Sequence, residues 1–146
     1  MENQGVSRVL STYIHISKSG KVNSENELID ISSRGVVVDT GSPVNCINEA
    51  ALKGTYYEHR INRYTGQQLQ GLAWWAVKPK GIVTLKFKFE RTERTERTQY
   101  YEADFLVIGK RLQARFDCLL GWPWLDENGF ELMQKREGGI RISSNG

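Results

Sequence analysis

The sequence predicts an all-β domain, and three observations carry that expectation. Gly81–Phe89 alternates: Val83, Leu85, Phe87 and Phe89 fall on one face, and Thr84, Lys86 and Lys88 on the other. That period of two is the mark of a strand with one wet face. Val36-Val37-Val38 is a β-branched run, stiff at χ1 and suited to a buried strand. No long stretch has a helical period, while 14 glycines punctuate the chain with turns.

Bulk properties set the frame. At 146 residues the chain reads as a single domain, 1–146, with room for a sizeable core. A formal charge of +3 is too small by itself to imply nucleic acid. No apolar run approaches the roughly 20 residues that cross a membrane. The polar start Met1-Glu2-Asn3-Gln4-Gly5 does not read as a signal peptide, so an intracellular, cytoplasmic setting is expected. Cys46 and Cys118 sit in apolar contexts and read as small buried hydrophobes rather than a disulfide framework. His15 and His59 have no ligand spacing with them or with each other, so neither a metal nor another cofactor is expected. Nothing in the pattern supports a Cys–His nucleophile pair.

Taken in order, Val9–Ile16 reads as a first strand and Lys18-Ser19-Gly20-Lys21 as a turn. Leu28–Ile31 reads as a second strand paired with the first, and Arg34-Gly35 then leads into Val36–Val38. That strand ends in Asp39-Thr40-Gly41-Ser42, all turn formers. A carboxylate closing an apolar strand needs a partner or a task, although Asp-Thr-Gly alone is equally an ordinary turn. Val44–Ile47 reads as a short strand, and Asn48–Gly54 as a brief helix with Asn48 as N-cap and Gly54 as its stop.

Ile61–Val77 reads as a long hairpin with its tip between Gly66 and Gly71. Trp74 and Trp75 in it are either packing residues or walls of a pocket. Arg91–Thr98 repeats Arg-Thr-Glu and reads as an exposed hairpin loop with self-compensating charge, or as a charged docking site. Gln99–Ile108 returns as the partner of Gly81–Phe89. Phe116–Gly121 is a second buried strand, Trp122–Gly129 a short helix, and Phe130–Met133 with Ile140–Ile142 a closing hairpin.

Two motifs therefore stand in order: Val36-Val37-Val38-Asp39-Thr40-Gly41-Ser42, and Cys118-Leu119-Leu120-Gly121 followed by Trp124-Leu125 and Gly129. Together they resemble the retropepsin-like aspartic proteases, above all those of long-terminal-repeat retroelements. The likeness spans roughly Leu28 to Ile142. It implies a closed β-barrel with a flap hairpin and one or two short helices. It also implies an aspartic endopeptidase that processes a retroelement polyprotein, or a domesticated derivative of one.

Asp39, Thr40 and Gly41 would then form the catalytic motif, with Thr40 bonding across a dimer axis and Gly41 letting substrate backbone pass. Ser42 would bond near the carboxylate, and Gly66, Gln67, Gln68, Leu69, Gln70 and Gly71 would cover an extended peptide. Val36, Val37, Leu119 and Leu120 would support the crossing loops, and the terminal strands would form the dimer interface. Three features depart from the family pattern. The Asp39-to-Gly121 interval is long, the Arg-Thr-Glu hairpin is extended, and the flap lacks a run of glycines.

The chemistry adds a constraint of its own. Hydrolysis by this route needs two carboxylates sharing a proton over one water. Asp30, Asp104, Asp117 and Asp126 are not followed by Thr-Gly or Ser-Gly, so the chain carries one such motif. The expected active form is a homodimer with Asp39 contributed twice. The alternative class is a module of the same fold that dimerises or binds peptides with little cleavage. A nucleic-acid-binding β-domain would rest only on the mild basic excess and is not expected.

Overall fold

The computed structural model describes residues 9–39, 41–66, 79–90, 100–109, 117–134 and 140–144. Nine strands occupy most of that chain. They are β1 (Val9–Ser17), β2 (Ile31–Asp39), β3 (Cys46–Asn48), β4 (Asn62–Arg63), β5 (Gly81–Phe89), β6 (Tyr101–Ile108), β7 (Cys118–Gly121), β8 (Phe130–Gln134) and β9 (Ile140–Ser144). One α-helix, α1 (Trp122–Glu127), and two single 3₁₀ turns, Glu49–Leu52 and Tyr56–His59, complete the described elements. None of the helices is long and apolar enough to cross a membrane.

Six strands close into a barrel. Hydrogen bonds link them in the order β1-β2-β7-β3-β6-β5, and β5 pairs back to β1 through Ile14↔Phe89, His15↔Lys88 and Ile16↔Phe87. Closure removes sheet edges that would otherwise recruit another chain. Short β4 adds to the outside of β5, and β8 with β9 forms a separate hairpin.

The alternation read from Gly81–Phe89 directs the core. Val83, Leu85 and Phe87 point inward and pair across to Phe105, Ala103 and Tyr101 of β6. Ile14, Ile16, Val36, Val38, Cys118 and Leu120 fill the opposite wall. The end of the core is aromatic. Trp124 of α1 lies 5.3 Å from the Phe87 ring and stacks on Phe130 at 5.6 Å, between ring centroids. Offset and edge-to-face rings at such spacings add cohesion beyond buried area.

Two expectations need correction. Leu28–Ile31 and Val36–Val38 are not separate strands. A single strand of nine residues, β2, runs from Ile31 to Asp39 and pairs β1 along its whole length, from Ser17↔Ile31 to Val9↔Asp39. Leu28 makes only an isolated bridge to Val22, because Asp30 takes a left-handed φ of 54° and ends the loop there. A short polar side chain tolerates that conformation.

The short strand expected over Val44–Ile47 instead occupies Cys46–Asn48, for a reason that belongs to the site below. The brief helix at Asn48 is a 3₁₀ turn. Asn48 caps it by accepting the Ala50 N–H at 2.9 Å, and Gly54 follows at φ 75°. The Tyr56–His59 turn was not expected, yet Thr55-x-x-Glu58 is a capping pattern. Thr55 Oγ1 accepts the Tyr57 N–H, and Glu58 reaches back to the Gly54 N–H at 3.0 Å.

Candidate active site

The site begins with a parallel pair. β2 and β7 lie side by side in the register Val36↔Cys118, Val37↔Leu119, Val38↔Leu120 and Asp39↔Gly121. Parallel strands are buried on both faces and read as continuous apolar runs, which accounts for both Val-Val-Val and Cys-Leu-Leu. Each run stops at the same level, one in a carboxylate and the other in a glycine.

Asp39 is half-buried and its loop folds around it. The Gly41 N–H donates to Asp39 Oδ1 at 2.9 Å, and the Ser42 N–H donates to the Asp39 carbonyl at 3.0 Å. The first bond is the turn that an aspartate makes with the backbone two residues on. It fixes the orientation of the carboxylate while leaving Oδ2 outside that bond. Gly41 itself is exposed.

Ser42 differs from expectation. Its hydroxyl does not turn to the carboxylate but donates to the Val44 carbonyl at 2.8 Å, and its oxygen also lies 3.3 Å from the Val44 N–H. At 2% exposure it is a brace inside the loop. A buried hydroxyl must find a partner, and the nearest is the main chain two residues ahead.

Asn45 is the residue the sequence did not single out. It is buried, and its Oδ1 accepts the Gly121 N–H at 2.8 Å. Its Nδ2 donates to the Asp104 carbonyl at 3.2 Å, and its own carbonyl accepts the Leu106 N–H at 2.8 Å. A second bond, Trp122 N–H to the Ser42 carbonyl at 3.2 Å, ties the same two loops. These bonds keep residues 44 and 45 out of strand β3.

Gly121 makes this crossing possible. A Cβ there would stand 2.6 Å from both the Ser42 and Val44 oxygens, so only glycine lets the main chains approach this closely. A polar Asn between Val44 and Cys46 was the available signal, since a buried amide demands partners on both its ends.

The structure thus brings Asp39, Gly41 and Ser42 together with Gly121. Gly66 is exposed beyond β4, where an added Cβ would meet the Tyr64 ring. Thr40, Gln67, Gln68, Leu69, Gln70 and Gly71 lie outside the described residues, as do Trp74, Trp75 and the Arg91–Thr98 repeat.

The other described aspartates have different settings. Asp104 takes a hydrogen bond from Thr84, Asp117 faces Arg34 at 3.9 Å, Asp126 is on α1, and Asp30 precedes β2. Both cysteines are free and buried. Burial pushes the Cys46 thiol up to about 12, and burial with the nearby Asp117 charge raises Cys118 as well. Neither supplies a thiolate nucleophile at neutral pH. Among the described residues, no three His, Cys, Asp or Glu side chains stand together as metal ligands.

No family model matches the chain, and no curated protein matches its sequence. The functional reading accordingly stands on the motif and on the geometry of this loop.

Proposed function

We propose that the chain is a retropepsin-like aspartic endopeptidase that works as a homodimer, each copy supplying Asp39 to one shared site. The observation that carries this reading is the fixed carboxylate at the end of β2, held by the Gly41 N–H and level with Gly121 of β7. One chain supplies one such group, and peptide hydrolysis by this route needs two.

At the site, two carboxylates at close range cannot both ionise, so the pair holds one proton. The ionised member takes a proton from a bound water, whose oxygen attacks the scissile carbonyl carbon. The protonated member donates to the carbonyl oxygen, giving a neutral tetrahedral diol. Its collapse breaks the C–N bond, with a proton passing to the leaving amine. The two groups titrate as a unit, so their pH profile belongs to the pair. Exposed Gly41 leaves space for substrate main chain, and the segment from Gly66 to Gly71 would cover an extended peptide by strand-like pairing. A retroelement polyprotein, or a protein handled by a domesticated relative, is the substrate class that this reading implies, in an intracellular setting.

The test is Asp39→Asn assayed on a long unstructured polypeptide in acid buffer, about pH 4 to 6.5. Loss of pepstatin-sensitive cleavage is expected. Cleavage that survives the substitution would remove Asp39 from the chemistry. A purified dimer without such cleavage at any pH would replace this reading with that of a peptide-binding module.

A further inference from the structure

The loop that follows Asp39 also walls a groove of about 390 Å³. Its lining includes the apolar Val44, Ile82 and Leu106 and the aromatic Tyr64 and Trp124. Two exposed carboxylates face it, Asp104 from β6 and Glu127 from the last turn of α1. Among the described residues lining it there is no lysine, arginine or histidine. Thr84 gives Asp104 an uncharged hydrogen bond, and neither carboxylate is in an ion pair with another described residue.

An apolar and aromatic lining with two exposed carboxylates suits one kind of side chain. Lysine and arginine carry an apolar stem and a cationic head. The stem would lie along Val44 and Leu106, and the head would meet the carboxylates or an aromatic face. An acidic side chain would meet like charges. Val44 follows Asp39 closely in the chain, at most about 18 Å of extended backbone away. The Val44 wall of the groove thus stands no farther from Asp39 than about five extended peptide residues span.

We propose that this groove takes a lysine or arginine side chain of the bound peptide and gives the site a preference for a basic residue near the scissile bond. The link to cleavage rests on the peptidase reading above; the charge preference of the groove does not.

The test uses dye-labelled, alanine-rich nonapeptides carrying Lys, Leu or Glu at one position at a time. They are offered to the wild-type chain and to the Asp104→Asn/Glu127→Gln double variant. Both substitutions are exposed and keep side-chain size, and near-UV circular dichroism checks that the fold is unchanged. At one position, Lys is expected to exceed Glu in kcat/KM by about tenfold, falling to about twofold in the double variant, as two exposed charge pairs allow. Equal cleavage of Lys and Glu peptides at every position, or a preference the double variant retains, overturns the proposal. Peptide binding by fluorescence anisotropy separates the two readings. Lys-selective binding that the double variant loses, without any cleavage, upholds the groove and sinks the peptidase. Binding blind to charge sinks the groove even if cleavage is robust.

Discussion

Gly121→Ala tests the loop crossing that presents Asp39. The added Cβ would lie 2.6 Å from the Ser42 and Val44 oxygens and 3.0 Å from the Val44 carbonyl carbon. All three atoms are main chain, so no side chain can swing aside. Even close C–H···O contacts keep carbon and oxygen about 3.3 Å apart, so the loops must separate by roughly 0.7 Å. The Trp122 N–H to Ser42 bond, already 3.2 Å, would not survive that shift, and the buried 2.8 Å bond from Gly121 to Asn45 would be strained.

Overpacking of this kind costs about 1–3 kcal/mol, and a buried donor left unpaired costs about 1–3 kcal/mol more. Stiffening the unfolded chain returns about 0.4–1 kcal/mol. Gly121 has an ordinary φ of −85°, so backbone strain adds nothing. The net loss is about 3 kcal/mol, or about 6–12 °C in Tm for a chain of this size. Urea and thermal unfolding by circular dichroism measure it. Peptidase activity should fall further than the folded fraction does, because the displaced loop carries Asp39. A variant within about 0.5 kcal/mol of wild type, the range of neutral surface changes, would refute the close-approach argument.

Other sites make independent predictions. Asn45→Ala removes the acceptor for Gly121 and the donor to Asp104, and is expected to destabilise by about 2–3 kcal/mol in urea unfolding. His15 is held below its usual 6.5, first by burial and then by Lys88, with Glu90 opposing. The folded state therefore disfavours the imidazolium, and stability present above the unfolded pKa is lost as pH falls through the folded one. Urea midpoints between about pH 7.5 and 5 should drop less in His15→Gln than in wild type, and equal slopes would exclude His15 as a source. Cys46 and Cys118 should resist a thiol reagent at about pH 8 in the native protein and react once it is unfolded.

The fold was legible where one physical rule dominated. The alternation of Gly81–Phe89 named the inward face of that strand correctly, because Val83, Leu85 and Phe87 are apolar while Thr84, Lys86 and Lys88 seek water. The apolar runs Val36–Val38 and Cys118–Leu120 were legible as buried strands, although their parallel pairing was not. Trp122–Glu127 was visible as a helix from Pro123 and Gly129.

Legibility failed where a backbone conformation or a long-range bond decided the outcome. Asp30 ends a loop by adopting a left-handed φ, which its neighbours do not announce. Asn45 leaves the strand pattern because its partners, Gly121 and Asp104, lie far along the chain. Ser42 was correctly placed in the loop but not in its bonding, since the Val44 carbonyl outcompetes the carboxylate for its hydroxyl. The groove beside Val44 was illegible for the same reason: Tyr64, Asp104 and Glu127 meet only in three dimensions.

The central claim, that each active site takes one Asp39 from each of two chains, is tested most directly by mixing. Wild-type and Asp39→Asn chains are unfolded together in varying proportion, refolded at constant total concentration, and assayed on one unstructured substrate. If a site needs both carboxylates, activity follows the square of the wild-type fraction, about one quarter at equal proportions. Activity of about one half there, falling in direct proportion to wild-type chain, would mean that each chain acts alone and would contradict the shared site.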